Sequence, residues 1–176
     1  ALLAACLPAL PDRGPEFRAF SQGDFNFDYP DWPKNLQPDP EALVAVAQGP
    51  LGVWLRTYPG YPQFTLGLVK GYIAANPEMV LTAESGPDEP HPWLEHLAPV
   101  ARQKVRSRTD FVYCGGKTYA ITVAGEEHAY AAALPVFRRV WSSARCGNTL
   151  RPPRVSAGRL GLVINPPGGN FAPDVY

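Results

Sequence analysis

His91, Glu95 and His96 form the densest concentration of metal-ligating side chains in the sequence, with Asp88 and Glu89 just ahead of them. Two imidazoles beside carboxylates suit a borderline divalent ion such as zinc or manganese, with calcium as a harder alternative. Pro90 and Pro92 argue the other way, because they splay these side chains in what reads as a solvated loop over residues 86–92. Glu126, Glu127 and His128 come just before the last helical stretch, where carboxylates favour the positive end of the helix dipole. Capping is their expected role.

The three cysteines are Cys6, Cys114 and Cys146. Leu3-Ala4-Ala5-Cys6 matches the pattern at which bacterial lipoprotein signals are cut, with small residues ahead of a lipid-bearing cysteine. On that reading residues 1–16 are a signal remnant and Pro-rich tether, and Cys6 carries the anchor. The alternatives are an Ala/Leu-rich N-terminus with an incidental cysteine, or the remnant of an organelle targeting signal. Three cysteines in an exported chain fit one lipidated residue plus one disulfide, Cys114 with Cys146; two unpaired thiols is the other reading. Such a disulfide closes a loop of 146 − 114 = 32 residues, worth roughly 3–4 kcal/mol in the chain-entropy model.

Catalytic machinery is not evident. The sequence has no G-x-S-x-G, no P-loop and no G-x-G-x-x-G opening a helix, and no Cys/His spacing suits structural zinc. Cys114 would serve as a nucleophile only with a histidine beside it, and a structural cysteine next to a turn is the plainer expectation. No catalytic residue is therefore assigned and no cofactor is expected beyond the divalent ion considered above. Trp32, Trp54, Tyr58 and Tyr61 could line a ligand groove, although aromatics at strand spacing more often build core. Arg138, Arg139, Arg151 and Arg154 give a mildly basic surface near the tail, where Phe171 and Tyr176 add aromatic contacts for a partner.

These residues sit in a chain of 176 with 45% hydrophobic and 11% aromatic content, which excludes a disordered protein. Lys+Arg 16 against Asp+Glu 16 leaves no net charge, which argues against nucleic-acid binding. Gly 16 and Pro 21 are roughly twice average usage and imply short elements with many turns. No apolar run approaches the ~18 residues of a membrane span.

Residues 24–29 alternate polar and aromatic, as a half-buried strand does. A short apolar run follows at 42–47, then a strand over 53–58. Thr65 is a candidate N-cap for a helix carrying Leu66, Val69, Tyr72 and Ile73, stopped by Asn76-Pro77. Residues 103–112 and 117–123 form a hairpin about Cys114-Gly115-Gly116, with Arg106 and Arg108 on one side and Val105 on the other. A last helix carries Tyr130, Leu134, Phe137, Trp141 and Ala144 on one stripe, and Pro135 either kinks it or marks its start. Only 160–164 looks like a strand in the tail. Strands followed by helices in this order predict an α+β fold, an antiparallel sheet with helices packed on it.

The order of landmarks resembles the PsbP-like fold family. Phe25-x-Phe27-x-Tyr29-Pro30-x-Trp32 matches its aromatic first strand, and Gly116-Lys117-Thr118-Tyr119-Ala120-Ile121 its late hairpin. Val136 to Ser143 matches its closing helix, although Ala144-Arg145 stands where Ser-Phe is expected. The resemblance covers residues 17–146, leaving 1–16 as tether and 147–176 as a Pro-rich C-terminal extension. It implies an α/β/α sandwich and a non-catalytic, exported protein. One branch holds bacterial envelope lipoproteins; the other holds thylakoid-lumen extrinsic subunits and assembly factors of photosystems, proteins associated with divalent ions. A protein partner or membrane complex is expected, reached by Arg151, Arg154, Phe171 and Tyr176. The short segment between Met79 and Gln103 departs from the longer middle of typical PsbP.

Overall fold

The computed structural model describes residues 14–34, 41–86, 89–100 and 103–147. Strands β1 (Phe17–Gln22) and β2 (Phe25–Pro30) form a hairpin whose turn uses Gly23 at φ 58°. β1 was not expected from the sequence, because it is an edge strand with only Phe17 and Phe20 half-buried and so lacks strict alternation. β3 (Val44–Gln48) turns through Gly49 into β4 (Leu51–Pro59).

Helix α1 (Pro62–Ala75) begins earlier than Thr65. Tyr61 is its N-cap and Pro62 lies in the first turn, where a missing N–H costs nothing. Thr65 is fully buried inside the helix instead of capping it. Next come β5 (Val80–Glu84), β6 (Trp93–Val100), β7 (Gln103–Cys114) and β8 (Lys117–Glu126). β5 and β6 escaped the sequence reading, since Glu95, His96 and Pro99 interrupt the apolar pattern of one and the other is a half-exposed edge. The last helical stretch divides into α2 (Glu127–Ala132) and α3 (Leu134–Ser143), with Pro135 in the first turn of α3. The two-residue β9 (Arg145–Cys146) then returns to β2.

Two antiparallel sheets result, β1-β2-β9 and β3-β4-β8-β7-β6-β5. Paired residues share a face and neighbours alternate, so the register sorts every side chain of the six-stranded sheet. One face carries Val53, Leu55, Val112, Cys114, Tyr119, Ile121 and Val123, all in the main core. The small sheet, α2 and α3 cover that face. Phe25 stacks on Tyr119 at 3.8 Å between ring centres, and Phe137 packs against Tyr130 at 5.1 Å. The other face carries Trp54, Arg56, Tyr58, Ser107, Thr109, Phe111, Ala120, Thr122, Leu94 and His96. α1 covers only part of it, through Ile73 against Leu94, Phe111 and Ala120. The architecture is α+β, with helices on both faces of a central antiparallel sheet.

Among the aromatics weighed as groove-formers, Trp32 is core, Tyr61 stacks on Tyr113 at 4.8 Å, and Trp54 lies across Gly52. A Cβ at residue 52 would meet that indole, which is why a glycine stands there. A disulfide joins Cys114, at the end of β7, to Cys146 in β9, with S–S 2.01 Å. Cys6, the strand expected at 160–164, and Arg151, Arg154, Phe171 and Tyr176 lie outside the described residues.

Candidate functional site

The first concentration of polar chemistry lies beyond α2 and α3 on the main-core face. There β7 aims Arg106, Arg108 and Asp110 to one side and β6 aims Trp93 and Glu95 to meet them. Asp110 accepts two hydrogen bonds from the Arg108 guanidinium, from Nε and Nη2, each at 2.9 Å. The same guanidinium lies between two indoles, 4.2 Å from the Trp93 ring centre and 4.1 Å from that of Trp141. Arg106 donates to Glu127 at 2.9 Å and to Glu95 at 3.4 Å. Burial pushes the Asp110 carboxyl above its usual range, and the Arg108 fork pulls it part of the way back. Burial likewise raises the Tyr130 phenol, with the nearby Glu95 charge adding to the effect. Its hydroxyl and the Trp141 Nε1 are buried without a hydrogen-bond partner.

Every charge in this cluster is matched by a neighbour, so it holds β6, β7, α2 and α3 together. Glu127 therefore does more than favour the α2 dipole: it ties the helix to the sheet. On the outer side of α3, Arg139 faces Asp28 at 3.5 Å and lies over the Phe17 ring at 4.0 Å, so half of the Arg138-Arg139 pair serves packing.

The metal set expected from sequence is not assembled. Glu95 and His96 are successive residues of β6 and so point to opposite faces of the sheet. Glu95 joins Arg106, His91 is exposed before the strand, and His96 faces the α1 side. Among the described residues no group of three His, Cys, Asp or Glu is placed to hold an ion.

The second site is where His96 goes. Between α1 and the uncovered half of the sheet lies a cleft of about 420 Å³, within the range of small-ligand sites. Its walls are Leu68, Val69, Tyr72, Ile73, Met79 and Phe111. Its floor is His96, Ser107, Thr109 and Thr122, edged by Arg56 and Tyr58. Leu68 and Tyr72 remain 55% and 62% exposed at helical spacing i, i+4, and Phe64 continues the stripe. Thr109 and Thr122 hydroxyls bond each other at 2.9 Å. His96 and Ser107 are direct cross-strand neighbours, but no hydrogen bond joins them, and the His96 Nδ1 is buried without a partner. No Asp or Glu lines the cleft among the described residues, so nothing orients the imidazole as a base for Ser107 in the manner of a triad.

Burial holds the His96 imidazole below its ordinary value of 6.5, so the fold favours the neutral ring. The unfolded chain then binds more protons than the native one as pH falls from 6.5. Stability contributed by the neutral ring is present above that pH and lost as pH falls towards the lower folded value. Chemical denaturation between pH 7 and 5 is expected to show this loss, and a His96→Gln variant a shallower one. An unchanged slope in the variant contradicts the assignment.

The hydroxyl-bearing floor was not singled out from the sequence, although alternation of Ser107, Thr109 and Phe111 opposite Arg106, Arg108 and Asp110 carried the signal.

No protein-family model and no curated protein sequence matches the chain. Among solved structures it is similar to cyanobacterial PsbP (CyanoP) from Synechocystis sp. PCC 6803, with TM-score 0.54 at 13% identity over 82% of this chain and 98% of that one. It also aligns with LpqN, involved in cell envelope biogenesis of Mycobacterium tuberculosis, with TM-score 0.45 at 11% identity over 77% and 92% of the two chains. The first spans nearly the whole of its counterpart, and with the sheet order and helix layers described above it shows that this chain has the PsbP-like fold.

Proposed function

We propose that the protein is a non-catalytic, exported accessory protein, held at a membrane surface through Cys6 and acting on a protein partner in a bacterial envelope. The observation that carries this reading is the mutual pairing of Arg106, Arg108, Asp110, Glu95 and Glu127. The cluster whose chemistry is richest is spent on holding the fold. The Cys114–Cys146 disulfide supports export, since such bonds persist in oxidising compartments. On this reading residues 17–146 are the folded unit, 1–16 the tether and 147–176 the partner-contacting extension, with Arg151, Arg154, Phe171 and Tyr176 as its contacts.

The likeness to cyanobacterial PsbP favours a second reading, a thylakoid-lumen extrinsic subunit or assembly factor of a photosystem. One experiment separates the two. The chain is recovered from native membranes in mild detergent, and its intact mass is measured with and without residues 148–176. A diacylglycerol mass on Cys6, with a co-purifying protein lost on truncation, supports the envelope reading. An unmodified chain travelling with pigment-protein subunits supports the photosystem reading. An unmodified chain that leaves the membrane alone overturns both.

A further inference from the structure

We infer that the cleft between α1 and the open half of the six-stranded sheet binds a small amphipathic carboxylate, its apolar body along α1 and its carboxylate on the His96–Ser107 floor. The Leu68 and Tyr72 side chains stand open to water beside Val69, Met79 and Phe111, apolar surface that burial against a ligand would stabilise. Below them, the His96 Nδ1 is buried without a hydrogen-bond partner, and Ser107 is its cross-strand neighbour. Each can donate to a carboxylate oxygen, the imidazole through an N–H and the serine through its O–H.

The charge of the lining selects the ligand. It contains the Arg56 guanidinium, a neutral imidazole, four hydroxyl-bearing residues besides Ser107 (Tyr58, Tyr72, Thr109, Thr122) and, among the described residues, no carboxylate. An anionic head meets donors there and no like charge among the described residues, whereas an ammonium head would find no counter-charge among them. The volume of about 420 Å³ accommodates a short acyl or single-ring body and excludes a folded protein segment. The cleft is therefore a small-molecule site, independent of the partner-binding extension proposed above.

The test uses the whole chain titrated with octanoate by calorimetry, with the methyl ester of octanoate as the neutral comparison. Saturable one-site binding of octanoate is expected, with the ester at least tenfold weaker. Leu68→Glu, at an exposed position on the α1 wall, sets a charge against the apolar body and is expected to weaken octanoate at least tenfold. Ser107→Ala removes one donor from the floor and is expected to weaken it several-fold. In amide and methyl spectra, octanoate should shift Leu68, Val69, Met79 and Ser107. Absence of saturable binding, equal binding of the ester, or the same affinity in both variants overturns the proposal.

Discussion

Removing the disulfide is expected to lower the stability of the folded unit by roughly 3–4 kcal/mol, the loop-closure value for a separation of 32 residues. For a chain of this size that is on the order of 10 °C in Tm. The mechanism acts mainly on the unfolded chain, which regains the freedom of the released loop. It also has a native component, because β9 is only two residues long and pairs with β2 at Phe25 and Asn26 alone. Cys114 is 3% exposed, so the paired change Cys114→Ala and Cys146→Ala is the appropriate variant, compared with reductant-treated wild type. Both should lose a similar amount by denaturant titration. Equal stability of the oxidised protein and the variant would show that β9 is held by other contacts.

Arg108→Met should be at least as damaging, by about 3–5 kcal/mol, because it leaves Asp110 buried without its counter-charge. The guanidinium between Trp93 and Trp141 also contributes packing that a thioether replaces only in part. Two further measurements identify the cause. Adding Asp110→Asn to Arg108→Met should recover a substantial share, since the stranded charge is then absent. Lowering the pH should narrow the gap between variant and wild type, because protonating Asp110 removes the same charge. The sign is fixed by the group: a carboxyl whose folded pKa lies above its unfolded value loses stability as pH rises through that range. If Arg108→Met unfolds no more easily than wild type at pH 7, the cluster does not hold the fold, and the pairing on which the accessory reading rests loses its weight.

What the sequence reveals and conceals follows from where each element lies. The β7–β8 hairpin is legible because Gly115 and Gly116 take φ of 59° and 82° between two alternating runs. β2 is legible through Phe25 and Phe27, which are fully buried on one side only. Pro135 had two readings, and the structure uses it to begin α3. The edge strands β1 and β5 show little alternation because little of them is buried, and β6 is masked by Glu95, turned toward the Arg108 cluster, and His96, turned toward α1. The cleft was beyond reach for a related reason. His96 is visible in the sequence, but its opposition to Ser107 depends on the β6–β7 register, which no local pattern sets. The apparent metal trio dissolves through that same strand geometry: residues close in sequence are separated by the sheet itself.

The disulfide has one more consequence, mechanical in kind. Among the described residues, a pull on the chain at Gly147 would otherwise meet the two-residue β9 and the Gly147 N–H bond to the Asp24 carbonyl, a short edge that could be peeled away from β2. The Cys146–Cys114 bond diverts that tension into the end of β7, a twelve-residue strand flanked on both sides by β6 and β8. Load then enters a strand paired along both edges instead of a two-residue edge. On the proposed reading, in which the chain is anchored at one end and holds a partner by the other, the covalent bond supplies the load path.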